Sequence, residues 1–378
     1  MTTSTPSSSH PLRLADAGEV IAALPALMGF PPTRSIVAMC LTPTGETPTR
    51  PNGRVATIGA VMRHDLVVPR NGEPVPERMR AAFRRFRAVC AREGADSVVA
   101  VLVDESLTDR HDPEIAELCR LVDEFADVLD TAGIELSGVY AVPEITGGAE
   151  WFVPGQDVTG SVADPSASIV AAARVFEGSP IRGSRSELEA LLEPYPPTVR
   201  HEIARCLDQV VETRDREYER WAREGGGERA DRRELDTVLT HVRAYAEGVE
   251  PGPAECAEIA VLLANRTVRD AVMGLATGPL ARPAERLWTE LARALPDPER
   301  ADAAALIGFG AYVRGDGPFA GVALTAALGS DPRHRLADLL DQALQAGLRP
   351  EAIRGLAETG HEIAARLGVV LPRDDETS

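Results

Sequence analysis

In the first 160 residues of the chain, short apolar runs of strand length alternate with amphipathic helical stripes. The apolar runs predict strands at 35–41, 55–62, 97–103, 138–142 and 151–153, the last as the second arm of a hairpin. Stripes of helical period predict helices that begin near Asp16, before Met79 and at Asp112. Because strands that alternate with helices form right-handed crossovers, we expect an α/β domain with a mixed, mostly parallel sheet.

From about residue 160 onward, the pattern contains only helical stripes, which predicts an all-α helical bundle. Arginine and acidic residues alternate from Glu212 to Glu234, a pattern typical of a solvated helix face. Residues near the end of the chain have the small/large spacing of a tetratricopeptide helical hairpin; they are Ala304, Ile307, Gly308, Ala311, Ala320, Leu324, Ala327 and Pro332. An ordinary helical bundle accounts for the same residues, and this alternative stays open.

These patterns predict four segments along the chain. A Ser/Thr/Pro-rich disordered tail covers residues 1–11, the α/β domain 12–160, the helical domain 161–370, and a polar, acidic disordered tail 371–378. The first segment lacks the basic start and apolar centre of a signal peptide, and no apolar run reaches the length of a transmembrane helix. We therefore expect a cytoplasmic protein without a membrane partner.

The composition excludes several classes of function. The chain has 40 basic and 58 acidic residues and a formal net charge of -18, which disfavours nucleic-acid binding because affinity for phosphates comes largely from basic surface. All basic residues are arginine, so a Schiff-base lysine and a P-loop lysine are excluded. Five widely spaced cysteines without a C-x-x-C pair indicate reduced thiols rather than a zinc knuckle or a disulfide framework.

Several stretches of the chain together resemble a known family. They include Arg13–Asp16, Leu24–Phe30, Ser35–Val37, Arg269–Asp270, Leu287–Trp288, Gly315–Gly317 and the helix from Leu336 to Leu344. Over nearly the whole chain they resemble domain of unknown function 4192, an uncharacterised actinobacterial family; Ala17 departs from it at a position where we expect proline. The resemblance implies a cytosolic actinobacterial protein whose two halves form one family unit. It implies no activity, cofactor or catalytic residue.

Candidates for chemistry lie at the strand ends, since the motifs G-x-S-x-G, H-E-x-x-H and G-x-G-x-x-G after a strand are absent. Ligands of open α/β sheets bind beyond the carboxyl ends of the strands. The candidate residues there are His64, Asp65, Asp104, Glu105 and Glu144. If their strands are parallel neighbours, these side chains converge at one edge and suit a hard cation or acid–base chemistry. Polar residues also end strands simply where the chain reaches the surface, and this alternative stays open.

The predicted helix at 78–92 carries a local excess of arginine on its outward face. Arg80, Arg84, Arg87 and Arg92 suit either an anionic partner or pairing with nearby carboxylates, and we prefer the second interpretation.

Two hypotheses of function follow from the sequence. The first is a non-catalytic interaction or regulatory protein that binds a protein partner through its helical half, because catalytic motifs are absent and the helices are well patterned. The alternative is a metal-dependent hydrolase or other small-molecule enzyme that uses the acids at the sheet edge. The metal, the cofactor and the oligomeric state stay unknown at this point.

Overall fold

The computed structural model describes residues 16–43, 56–69, 72–112, 115–168, 170–171 and 182–373. The chain divides into two compact units, Met1–Arg185 and Ser186–Ser378, whereas the sequence pattern predicts a boundary near residue 160. The predicted tail at 1–11 lies outside the described residues, and so do the last five residues of the second predicted tail. Leu371, the first residue of that second tail, is buried.

Six strands form one mixed sheet in the described part of the first unit. They are β1 (Ser35–Pro43), β2 (Ala56–Asp65), β3 (Ser97–Val103), β4 (Glu135–Val142), β5 (Glu150–Phe152) and β6 (Thr159–Ser161). Their order across the sheet is β2-β1-β3-β4-β5-β6. The first five strands lie where the apolar runs predict them. β6 was not predicted, because its residues are Thr, Gly and Ser and give no apolar pattern.

The prediction of a mostly parallel sheet is wrong, since among these six strands only β3 and β4 are parallel neighbours. β1 pairs antiparallel with β2 on one side and with β3 on the other, and the pairs β4–β5 and β5–β6 are also antiparallel. β2 and β3 therefore share one direction, with β1 inserted between them. The helix at Glu77–Glu93 connects β2 to the parallel strand β3, and a crossover helix does not show whether another strand lies between the two strands that it connects.

The described helices of the first unit are α1 (Ala17–Met28), α2 (Glu77–Glu93) and α3 (Ile115–Asp130), with a 3₁₀ helix at Pro165–Ala167. Asp16 caps α1 by accepting the N–H of Glu19, and Gly29 follows its end with a φ of 75°. α2 packs on α3 through Phe83 and Phe125, whose ring centroids are 4.7 Å apart. Both helices share a core with β3. Six of the seven residues of β3 are buried, as predicted for a central strand.

The second unit is helical, and its described residues contain no strand. Its helices are α4 (Arg185–Ala190, which begins at the boundary), α5 (Pro197–Gly225), α6 (Gly227–Ala246), α7 (Pro253–Leu263), α8 (Arg266–Val272), a 3₁₀ helix (Met273–Ala276), α9 (Ala281–Ala294), α10 (Arg300–Val313), α11 (Gly317–Ser330), α12 (Arg335–Gln345) and α13 (Pro350–Arg366). Across the described parts of both units, none of the helices combines the length and the apolarity that crossing a bilayer requires.

α10 and α11 form a close helical hairpin. A Cβ atom built at Gly308 would lie 2.8 Å from the Leu324 side chain, so a larger residue at this position would push the two helices apart. Gly315 makes the turn with a φ of 79°, and Asp316 caps α11 by accepting the N–H of Phe319. The two helices and their turn lie where the residue pattern predicts them.

Candidate functional site

The predicted site residues lie along one edge of the sheet, and β1 divides them. Ser35, the first residue of β1, is opposite Asp65 on one side and opposite Val103 on the other. His64 and Asp65 are therefore separated from Asp104 by two strand spacings, or about 10 Å.

Two of these carboxylates interact with residues close to them in the sequence. Asp104 accepts hydrogen bonds from the backbone N–H and the hydroxyl of Ser106, at 2.9 and 2.7 Å. Asp65 forms an ion pair with Arg63 at 2.6 Å. Each carboxylate thus has its own neighbour, which accounts for its position at the surface without a shared ligand.

The two glutamates of the prediction, Glu105 and Glu144, are exposed. Asp104 and Glu144 follow the parallel neighbours β3 and β4, whose last residues Val103 and Val142 are paired. Within the part of the chain that the structure describes, no group of three or more His, Cys, Asp or Glu side chains is arranged to hold a metal ion. A catalytic role for the five residues stays a prediction.

Two arginines on the outward face of α2 are paired with carboxylates of their own unit. Arg80 contacts Glu124 of α3 at 2.6 Å, and Arg84 contacts Glu77 at 2.6 Å. Both contacts agree with the preferred interpretation, a solvated face whose charges are balanced by nearby acids.

A groove in the second unit lies between α5, α6 and α7. Its volume is about 370 Å³, and the uncharged part of its lining is Gln209, Val210, Thr213, Trp221, Thr237, Ala254 and Leu262. Binding pockets in proteins start at about 300 Å³, so the groove has room for one or two long side chains of a partner.

An ion pair joins Arg214 of α5 to Glu234 of α6 in the lining of this groove. The guanidinium donates two hydrogen bonds to the carboxylate, from Nε to Oε1 at 2.6 Å and from Nη2 to Oε2 at 3.2 Å. The side chain of Glu234 is 0% exposed, and that of Arg214 is 24% exposed. Burial opposes the charge of Arg214, but the hydrogen bond and the negative charge of Glu234 raise its pKa above the ordinary value. The two side chains therefore form a bidentate ion pair.

Asn265 connects this ion pair to the beginning of α8. Its side-chain oxygen caps the helix by accepting the N–H of Thr267, and its amide donates to Glu234 at 2.7 Å and to Asp231 at 2.8 Å. Asp231 also accepts a hydrogen bond from the hydroxyl of Tyr218 at 3.1 Å. Burial, followed by the negative charge of Asp231, raises the pKa of Tyr218. One network thus joins α5 and α6, two of the helices that form the groove, to the start of α8.

Trp221 contributes an indole to the groove lining. Its Nε1–H is buried, and none of the side chains or backbone groups that the structure describes accepts a hydrogen bond from it. The guanidinium of Arg233 lies over the ring, 5.2 Å from its centroid. A buried donor without an acceptor costs about 1–3 kcal/mol. Because this N–H is buried, the part of Trp221 that a guest of the groove can contact is the ring.

The lining of the groove is acidic. Glu217, Glu255 and Glu258 belong to it in addition to the Arg214–Glu234 pair, and Glu258 lies 2.9 Å from the ring nitrogen Nε2 of His241. Because the ion pair is neutral as a whole, these three glutamates set the sign of the charge. The groove therefore favours a cationic guest.

Sequence reasoning missed this site, because Trp221 and Glu234 fall in the charged run that predicts a solvated face. One pattern points to it nevertheless. Glu234 lies on the buried stripe of α6, four residues after Ala230 and four before Val238. A carboxylate on a buried stripe needs a hydrogen-bonded partner, so its position in the stripe predicts a buried ion pair.

Comparison with known proteins identified one match. Residues 18–351 match the model of the family described as Domain of unknown function (DUF4192), an interval that contains the sheet, the groove and the α10–α11 hairpin. No curated protein and no solved structure matches the chain.

Proposed function

The chain belongs to the DUF4192 family, and on this premise we propose that it is a non-catalytic interaction or regulatory protein. It binds a protein partner through its helical unit: a basic amphipathic helix of that partner lies across α5, α6 and α7 and places one or two of its side chains in the groove. The acidic lining of the groove is the observation that carries this proposal.

Charge and shape together favour this occupant. Glu217, Glu255 and Glu258 attract arginine or lysine side chains, while Val210 and Leu262 offer apolar contact to the same segment. The indole ring of Trp221 adds a flat surface to the same lining. A groove between helices is a common receptor for an amphipathic helix.

We also propose an assignment for the α10–α11 hairpin and a cellular location for the protein. The hairpin of α10 and α11 is tetratricopeptide-like, an interpretation supported by the close approach at Gly308 and by the residue spacing. We place the protein in the cytoplasm of an actinobacterium, because its five cysteines are free thiols, as expected in a reducing compartment, and because its sequence resembles that family.

A labelled helical peptide of Ala, Leu and Arg tests the proposal by fluorescence anisotropy, with a matched peptide in which Glu replaces Arg. We expect the basic peptide to bind and the acidic one not to bind. Replacing Glu217, Glu255 and Glu258 with Gln weakens binding about tenfold or more, since three partly exposed charge contacts of about 0.5–1 kcal/mol each are lost.

A matched triple variant controls for net charge. Asp338→Asn, Glu351→Gln and Glu362→Gln remove the same charge from exposed positions on α12 and α13, outside the groove lining. The proposal expects nearly unchanged affinity in this control. Equal losses in the two triple variants, or no loss in the groove variant, would show that the peptide binds through general electrostatics or elsewhere.

The alternative, an enzyme that uses the acids at the sheet edge, stays a prediction. The observation in its favour is that Asp104 and Glu144 follow parallel neighbouring strands. A stoichiometric divalent metal in protein purified without chelators, lost in the variant Asp104→Asn with Glu144→Gln, would favour this alternative over protein binding.

A further inference from the structure

Cys40 of β1 and Cys90 of α2 meet in the core of the first unit. Their sulfur atoms are 2.6 Å apart, both residues are 0% exposed, and both are free thiols. The contact joins positions 50 residues apart in the sequence, so the fold alone brings the two thiols together.

We propose that Cys40 and Cys90 are a reversible redox pair, which a small hydroperoxide converts to a disulfide that ties α2 to the sheet. This site is independent of the groove in the helical unit. The facing positions of the two sulfurs carry the proposal, because a disulfide requires little movement when the sulfurs already touch.

The environment gives the two thiols different roles. The hydrogen bond from Cys40 lowers the pKa of Cys90, and the same hydrogen bond, followed by burial, raises the pKa of Cys40. Glu93, one helical turn after Cys90, adds a negative charge that raises both pKa values and limits the thiolate fraction. Cys90 is therefore the attacking thiol and Cys40 the resolving thiol.

The reaction balances in two steps. The sulfur of Cys90 attacks the terminal oxygen of the hydroperoxide, the O–O bond breaks, and the thiol proton leaves with the departing oxygen as an alcohol or water. Cys90 is then a sulfenic acid. The sulfur of Cys40 attacks the Cys90 sulfur, the S–O bond breaks, and the hydroxyl leaves as water with the proton of Cys40. The net change oxidises two thiols to one disulfide and reduces one hydroperoxide.

Gly59 leaves the edge of the sheet beside Cys40 without a covering side chain. It lies on β2, the edge strand of the sheet, and a Cβ atom built there would be 3.7 Å from the Cβ of Cys40. Gly59 is only partly buried, and as a glycine it has no side chain to cover Cys40. Because both thiols are 0% exposed, an oxidant reaches the touching sulfurs only when this edge opens, and such an opening admits hydrogen peroxide more readily than a bulky disulfide reagent.

Cys256 serves as an internal comparison. It is also buried, but burial raises its pKa to about 12, and its sulfur contacts the backbone carbonyl of Pro251 rather than a second thiol. The proposal therefore expects Cys256 to stay reduced under conditions that oxidise the pair.

Peptide mapping tests the proposal on the folded, full-length chain. The protein is treated with hydrogen peroxide, its free thiols are alkylated after unfolding, and it is digested with trypsin without reduction. We expect the peptide 35–54, which contains Cys40, to be joined to the peptide 88–92, which contains Cys90. Dithiothreitol should separate the two peptides again.

Thermal unfolding of the same samples tests the tie between α2 and the sheet. The oxidised protein should melt at least about 5 °C higher, since the cross-link closes a long loop, and the variant Cys90→Ser should show neither the joined peptides nor the rise. Cys119→Ser should retain both. Alkylation of Cys40 and Cys90 after peroxide treatment would overturn the redox pair, and joined peptides with unchanged melting would overturn the tie.

Discussion

His334 and His361 are buried to a similar degree, at 7% and 6% exposed, in different surroundings. Nε2 of His334 lies 2.9 Å from Asp302, and its Nδ1 accepts the N–H of Ala337 at 3.1 Å and so caps α12. His361 has a positive neighbour instead. Burial, followed by the charge of Arg373, lowers the pKa of His361 below its ordinary value.

The lowered pKa of His361 predicts a loss of stability in mild acid. Below about pH 6.5 the unfolded chain binds a proton at this histidine while the folded chain does not, so unfolding becomes more favourable as the pH falls. The free energy of unfolding should drop by at most about 1.4 kcal/mol per pH unit from this cause. Urea unfolding measured across this range checks the slope.

The neutral variant His361→Gln should flatten that slope. His201→Gln is the matched control, because His201 is exposed on α5 and should leave the slope unchanged. Parallel slopes for the wild type and the His361 variant would show that the acid sensitivity comes from other groups.

Single positions differ in how far the sequence predicts them. Gly308 could be assigned to a close helix contact, because a glycine at that place in a small/large pattern lets the paired helix approach closely. Glu234 could not be assigned from the charge pattern alone, since alternating charges usually lie on the surface. Cys40 and Cys90 meet only through tertiary contacts, so their spacing in the sequence gives no sign of the pair.

At the scale of elements, the network of Arg214, Glu234 and Asn265 joins α5, α6 and the start of α8. Because Glu234 is fully buried, its charge depends on this network for compensation. Removing one partner of a buried ion pair is far more costly than replacing both partners by apolar residues.

Arg214→Met should lower the free energy of unfolding by about 3–5 kcal/mol, because it leaves a buried carboxylate without its cation. The double variant Arg214→Met, Glu234→Met should lose less than this single variant. Urea unfolding, followed by circular dichroism, measures both losses.

Arg216→Met is the matched control for this comparison. The side chain of Arg216 is 71% exposed and pairs with Glu212 at 3.7 Å, so its replacement should change stability by less than about 0.5 kcal/mol. If the Arg214 and Arg216 variants were equally stable, or if the double variant were the least stable, the ion pair would not hold these helices together.

Hydrophobic periodicity in the sequence predicts the positions of the helices and strands closely. The strands β1 and β3 and the helices α2 and α3 lie where their stripes and runs predict them. The pairing of strands does not follow, because period-two patterns define faces and not neighbours. The place of β1 between β2 and β3 was therefore not predicted. The sheet is mixed, as predicted, but its described strands contain one parallel pair and are not mostly parallel.

For the whole molecule, the net charge of -18 affects partner binding mainly where acidic side chains are concentrated. The arginines Arg80 and Arg84 of the first unit have acidic neighbours, whereas the groove of the second unit keeps an excess of carboxylates. An acidic surface steers cationic partners toward it and repels nucleic acid. The proposed function therefore rests on this one acidic groove.

The indole N–H resonances of the three tryptophans provide the most direct test of that groove. In protein labelled with ¹⁵N at tryptophan, Trp221→Phe identifies the Trp221 signal, and the basic peptide is then added in steps. We predict that the Trp221 resonance shifts when the peptide packs against the indole ring, while the signals of Trp151 and Trp288 stay in place. A bound peptide that leaves the Trp221 resonance unmoved would contradict the proposed binding site.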